Sequence, residues 1–131
     1  MYFNETAYLE LERKVTGGWT DESREDRGTL KDILNDLHAY VETVAKGEIK
    51  VRTRDRGMDG GEYRAMISDY DSQRHDCHET AISSTKVLNR LAERNGTEPV
   101  FTGDAEQRHQ VADFCLEFVS FLFRNRMRKL G

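Results

Sequence analysis

The stretch EYRAMISDYDSQRHDCHETAISSTKVLNRLAERN, residues 62–95, decides the fold. Projected at about 100° per residue, Tyr63, Met66, Ile67, Tyr70, Cys77, Ala81, Ser84, Leu88, Leu91 and Ala92 fall in one broad stripe, so the stretch reads as a single core-facing helix. Such a helix would span about 50 Å, longer than a compact domain of this size needs unless another long helix or a partner lies alongside. Arg74 falls inside the apolar stripe, and Asp71 and His78 lie along its edge. A guanidinium taken out of water needs an acidic or carbonyl partner, and Asp36, Glu42, Asp113 and Glu117 are the candidates on the facing helices. The structural reading of this polar centre is a device that fixes helix register at some cost in stability.

Working outward, the 131 residues amount to one domain, large enough to bury about two thirds of the surface that its unfolded chain exposes. Apolar residues make up 37% and charged residues 34%, so each helix should keep a wet face around a narrow core. With 20 basic against 24 acidic residues and a net charge of -4, nothing global favours nucleic acid or an anionic membrane. No window approaches 18 uncharged apolar residues, and the first residues, MYFNETAYLELERK, do not read as a signal segment. Cys77 and Cys115 both fall on predicted core faces, where a free thiol acts as a small hydrophobe. The expectation is a cytoplasmic protein with no membrane association and no implied cofactor.

Asn4 reads as the N-cap of a first helix over residues 4–16, with Ala7, Tyr8, Leu11 and Val15 on one face and Gly17 and Gly18 as its stop. Residues 20–27, TDESREDR, hold no apolar side chain and read as a solvated connection or a helix start with little to bury. Trp19 is expected to plug against the bundle there. The second helix carries Leu30, Ile33, Leu34, Leu37, Tyr40, Val41, Val44 and Ala45 within about 140°, with Thr29 as its expected cap. It is expected to fray or continue weakly past Gly47 in preference to forming a lone strand at residues 49–53. Segments 18–28 and 52–61 are the expected flexible ones. Gly96 marks the end of the long helix, and Asp104, with Gln107 three residues on, is the expected N-cap of the last. That helix, at about residues 105–128, is apolar over most of its circumference. It should be central in the bundle or shared between subunits, which favours a homodimer.

Three constellations carry possible chemistry. Asp71, His75, His78 and Glu79 share one helical face and offer oxygen and nitrogen ligands for zinc or a similar metal, with His109 or Asp113 able to complete the site. The spacing is neither HExxH nor the paired ExxH of di-iron bundles, and ordinary i,i+4 ion pairs explain it as well. Arg52, Arg54 and Arg56, together with Arg124, Arg126 and Arg128, could contact phosphate. A solvated loop and cations at the negative end of a helix dipole are the simpler readings. Cys77 points about 100° away from His78, which disfavours a thiolate and imidazolium dyad, so no catalytic residue is assigned.

The runs SDYDSQRHDCHETAISS at 68–84, KVLNRLAERNG at 86–96, FTGDAEQRHQVADF at 101–114 and LFRNR at 122–126 resemble a family of short uncharacterised proteins from Gram-positive genomes, phages and mobile elements. The resemblance covers about half the chain and implies an all-helical fold and no reaction. It suggests that Arg74, His78, Asn89, Gly103, Asp104, Arg108 and Asp113 form a shared polar framework.

The sequence thus predicts an all-α, four-helix bundle-like domain with one long central helix, pairing with a second copy through its last two helices. The expected role is non-catalytic: a regulatory protein of a bacterial or mobile-element system that binds an unidentified protein partner. The alternatives are a metal-dependent hydrolase using the His and carboxylate face, a phage-type inhibitor of a host defence nuclease, and a nucleic-acid-binding accessory protein.

Overall fold

A computed structural model describes residues 1–53 and 60–130, with side chains for 1–44 and 75–125. Among these the chain forms four helices: α1 (Glu5–Gly17), α2 (Asp21–Thr53), α3 (Gly60–Arg94) and α4 (Arg108–Leu130). The fold is all-α, and α2 against α3 is its most extensive helix contact. None of the helices described is long and apolar enough to cross a membrane.

Asn4 caps α1 as expected, its side chain accepting from the Ala7 N–H at 3.1 Å. Spacing then buries Ala7, Tyr8, Leu11 and Val15 together. The expected cap at Thr29 is replaced by one at Thr20, where the Thr20 N–H donates to Ser23 Oγ at 3.0 Å and the Ser23 N–H donates to Thr20 Oγ1 at 3.2 Å. This reciprocal pair satisfies two donors at the start of α2 and lets TDESREDR enter the helix. Trp19 is corrected as well: it does not plug the bundle but stands 91% exposed, with the Arg27 guanidinium 6.0 Å from its ring centre. α2 runs through Gly47 to Thr53, so no strand forms there.

The core joins Leu30, Ile33, Leu37 and Tyr40 of α2 to Ala81, Leu88, Leu91 and Ala92 of α3, and to Val111, Phe114, Cys115, Phe118, Phe121 and Leu122 of α4. Three polar links run along the α2–α3 seam. Asp26 is buried and accepts from Arg94 and from Asn95 Nδ2; Ser84 donates to Asp36 at 3.3 Å; and Tyr40 Oη lies 3.2 Å from His78 Nδ1. Residue numbers rise on one helix as they fall on the other, the signature of an antiparallel pair in one register.

Gly96 (φ +73°) ends α3, as its expected place beyond the helix requires. The Thr97 N–H reaches back to Ala92 O at 2.9 Å and the Gly96 N–H to Glu93 O at 3.0 Å. Lys14 of α1 donates to Asn95 O at 3.0 Å, setting a cation on the exposed carbonyls of that helix end.

Asn89 then holds the following segment with its whole amide. Its Oδ1 accepts from the Val100 and Phe101 N–H groups at 3.0 Å each, while Nδ2 donates to Phe101 O at 2.8 Å. With its own backbone satisfied, this segment pairs with the amino terminus, Asn4 N–H to Val100 O at 2.9 Å and Thr102 N–H to Tyr2 O at 2.8 Å. Phe3 is thereby seated among Phe114, Phe118 and Phe121 of α4. Replacing Asn89 with Ala orphans two donors and an acceptor, and should lower stability by about 2–4 kcal/mol, read as a lower urea midpoint at unchanged slope.

Candidate functional site

The polar residues picked out along the long helix separate into interior and surface groups. His78 is buried and meets Tyr40 edge-on, with ring centres 5.1 Å apart. His75 and Glu79 stand exposed on α3, and Glu79 Oε1 accepts from Arg108 at 3.2 Å across to α4. The ligand face expected from DxxxHxxHE is therefore divided: His78 turns inward to Tyr40, and Glu79 is held by a cation. Among the described residues no three His, Cys, Asp or Glu side chains gather as a metal-binding group. Asp71 and Arg74 lie outside the residues whose side chains are described, so the acidic partner expected for Arg74 is not placed.

The expected framework divides the same way. Asn89 is structural, as shown above. Gly103 is wedged where a Cβ would come within 2.8 Å of Gln110 Oε1 and of the Tyr2 ring, and within 2.9 Å of the Phe101 ring, so only glycine fits. Gln110 Oε1 accepts from the Asp104 N–H at 2.8 Å. Asp104 itself caps a short turn, accepting from the Glu106 N–H at 3.0 Å, and α4 starts four residues later than that expected cap. The turn bonds its own backbone first, the Gln107 N–H reaching Asp104 O at 3.0 Å. Arg108 and Asp113 are corrected to the exposed surface; they do not belong to a buried polar centre.

Of the six arginines considered for phosphate contact, Arg124 is exposed on α4. The side chains of Arg52, Arg126 and Arg128, and residues 54 and 56 altogether, lie outside the described part.

Among the described residues, grooves adjoin α3 on two sides. One of about 440 Å³ lies against α2 and is lined by Thr29, Asp32, Asp36, Glu79, Ser83 and Ser84. Its polar groups are hydroxyls and carboxylates set beside Ile33 and Val87, but the Ser84 hydroxyl is committed to Asp36 and Glu79 to Arg108. The other, of about 640 Å³, lies between the end of α3 and residues 97–105, where Lys86 is neutralised by Glu106 at 3.1 Å. Neither groove sets a nucleophile beside a base and an orienting group.

Both cysteines are free. Cys77 is half-buried against the core and Cys115 fully buried, where desolvation pushes its thiol up to about 12. A thiol so held behaves as packing and not as a nucleophile.

The apolar arc expected on the last helix is covered only in part, and one strip of it on α4 stays bare. Leu116 is 52% and Phe123 65% exposed, and Ala112 and Val119, half-buried, fall in line with them at alternating spacings of four and three. Helical projection of residues 105–128 shows an apolar arc, but not which part of it the rest of the chain covers.

The fold and these sites define an all-helical protein in which Asp26, His78, Ser84 and Asn89 tie elements together and α4 carries a bare apolar strip. The family described as "Protein of unknown function (DUF3232)" matches residues 19–128, and the chain belongs to that family. No curated protein and no solved structure matches the chain.

Two outcomes follow. His78→Ala should cost about 2 kcal/mol by leaving a cavity and removing a partner of Tyr40, whereas His75→Ala, exposed, should stay within about 0.5 kcal/mol; urea midpoints measured with and without added Zn²⁺ check both. The folded Cys115 thiol keeps its proton to about pH 12, while an unfolded one loses it near 9.0. Its contribution is therefore full below pH 9 and declines as pH rises toward 12, by up to about 1.4 kcal/mol per pH unit. The stability gap between wild type and Cys115→Ala should narrow over that range.

Proposed function

We propose that this chain is a non-catalytic interaction protein, a regulator in a bacterial or mobile-element system that acts by binding protein through α4. The observation that supports this reading is the strip of Leu116 and Phe123, two large apolar side chains left in water by a chain with too little apolar material to waste. The buried polar groups argue in the same direction. Asn89, Asp26 and Ser84 each spend their hydrogen bonds on holding neighbouring elements, which leaves them without the free valence that a catalytic group needs. The hydrolase reading draws nothing from the geometry of His75, His78 and Glu79.

A photo-crosslinking phenylalanine analogue placed at Phe123, with the protein expressed in the cells that make it, tests this. Illumination should yield a discrete covalent adduct with a protein, whereas the same probe at the exposed α2 position Asn35 should yield none. Equal labelling at both positions, or no protein adduct at Phe123, would sink the proposal.

A further inference from the structure

We infer that the occupant of the α4 strip is a second copy of this chain, docked antiparallel so that Ala112 faces Phe123 of the partner subunit and Leu116 faces the partner's Val119. This rests on the interaction reading above and names its partner. Two features of the strip select this arrangement, one of shape and one of charge.

The strip begins on its smallest side chain and ends on its largest. A two-fold interface repeats every contact, so whatever Ala112 meets, the other copy's Ala112 meets too. Antiparallel pairing sets the large Phe123 over the small Ala112 at both ends and two medium side chains against each other in the middle, which keeps the helix separation even along the seam. Parallel pairing would stack phenylalanine on phenylalanine at one end and leave a gap between alanines at the other.

The charges agree. Asp113 stands near the amino-terminal end of the strip and Arg124 near its carboxyl-terminal end, both exposed. Among the described residues neither takes part in an ion pair. Eleven positions apart, they lie within about 20° of each other around the helix and so occupy the same flank of the strip. A two-fold axis between antiparallel helices keeps that flank on the same side in both copies, bringing each Asp113 beside the partner's Arg124. Parallel pairing, whose two-fold axis runs along the helices, would carry that flank to the opposite side of the seam in the second copy and leave Asp113 and Arg124 without this contact. The opposed helix dipoles favour the antiparallel arrangement as well. The other flank of the strip, where Cys115 and Leu122 lie, is covered by the chain's own core. The interface is small, so association should be concentration-dependent.

Sedimentation equilibrium across the micromolar range on the full chain tests this. Wild type should form a dimer, and Leu116→Glu with Phe123→Glu should be monomeric with its helical circular dichroism retained. Asp113→Arg alone and Arg124→Asp alone should each weaken the dimer about tenfold, because each change places like charges together at both ends. Mixing those two variants should restore it, since every cross-contact then joins opposite charges, and this also shows that both variants are folded. A monomeric wild type, single swaps that dimerise like wild type, or a mixture that fails to recombine would overturn the inference. A monomeric wild type that still gives a photo-adduct with a different protein at Phe123 would overturn this inference and leave the interaction reading standing. Absence of any protein adduct would remove both.

Discussion

A buried polar side chain costs least where its partner waits, and three links along the seam between α2 and α3 follow from that constraint. Asp26 with Arg94 and Asn95, Asp36 with Ser84, and Tyr40 with His78 are spaced along the two helices so that all three links form in one antiparallel register. A slip of one turn would leave Asp26, buried as it is, without its cation and amide, whereas the burial of apolar side chains such as Leu37 and Leu88 does not by itself fix the register. Apolar side chains set how strongly these helices attract; the polar ones decide where they stop.

With the end of α3 so placed, the remaining elements follow in order. Gly96 turns the chain, and Asn89 catches residues 100 and 101 as they return. The segment held in this way offers its backbone to the amino terminus, and the pairing carries Phe3 into the aromatic cluster of α4. Gly103 belongs to the same device, because Tyr2, Phe101 and Gln110 close around it with no room for a Cβ. Asn89 and Gly103, expected in a shared polar framework, therefore act as joints between elements. Membership of a family without an assigned reaction is consistent with joints of this kind, although it does not by itself argue against chemistry.

What distinguishes the surface is the side of α4 that this assembly leaves uncovered. One helix supplies six buried apolar side chains to the core and still exposes Leu116 and Phe123. The two faces overlap around the helix, so Ala112 and Val119 at their border are half-buried. The docking role proposed for this side would require an apolar arc wider than the core alone needs, and the composition of α4 is compatible with that requirement.

Periodicity and local chemistry made much of this protein legible before any fold was known. The apolar stripes of α1, α2 and α3, the Asn4 cap and the Gly96 stop depend on side chains within one or two turns of each other, so the sequence by itself determined them. The ionisable residues near His78 were recognisable as unusual for the same reason. Tertiary structure alone decided that Asp26 lies in the interior, that His78 turns toward Tyr40 while Glu79 turns toward Arg108, and which flank of α4 remains bare. The first three depend on a group distant in the chain, as Asp26 does on Arg94. A helical projection records the direction in which a side chain leaves its own axis, but not what the rest of the chain brings to meet it.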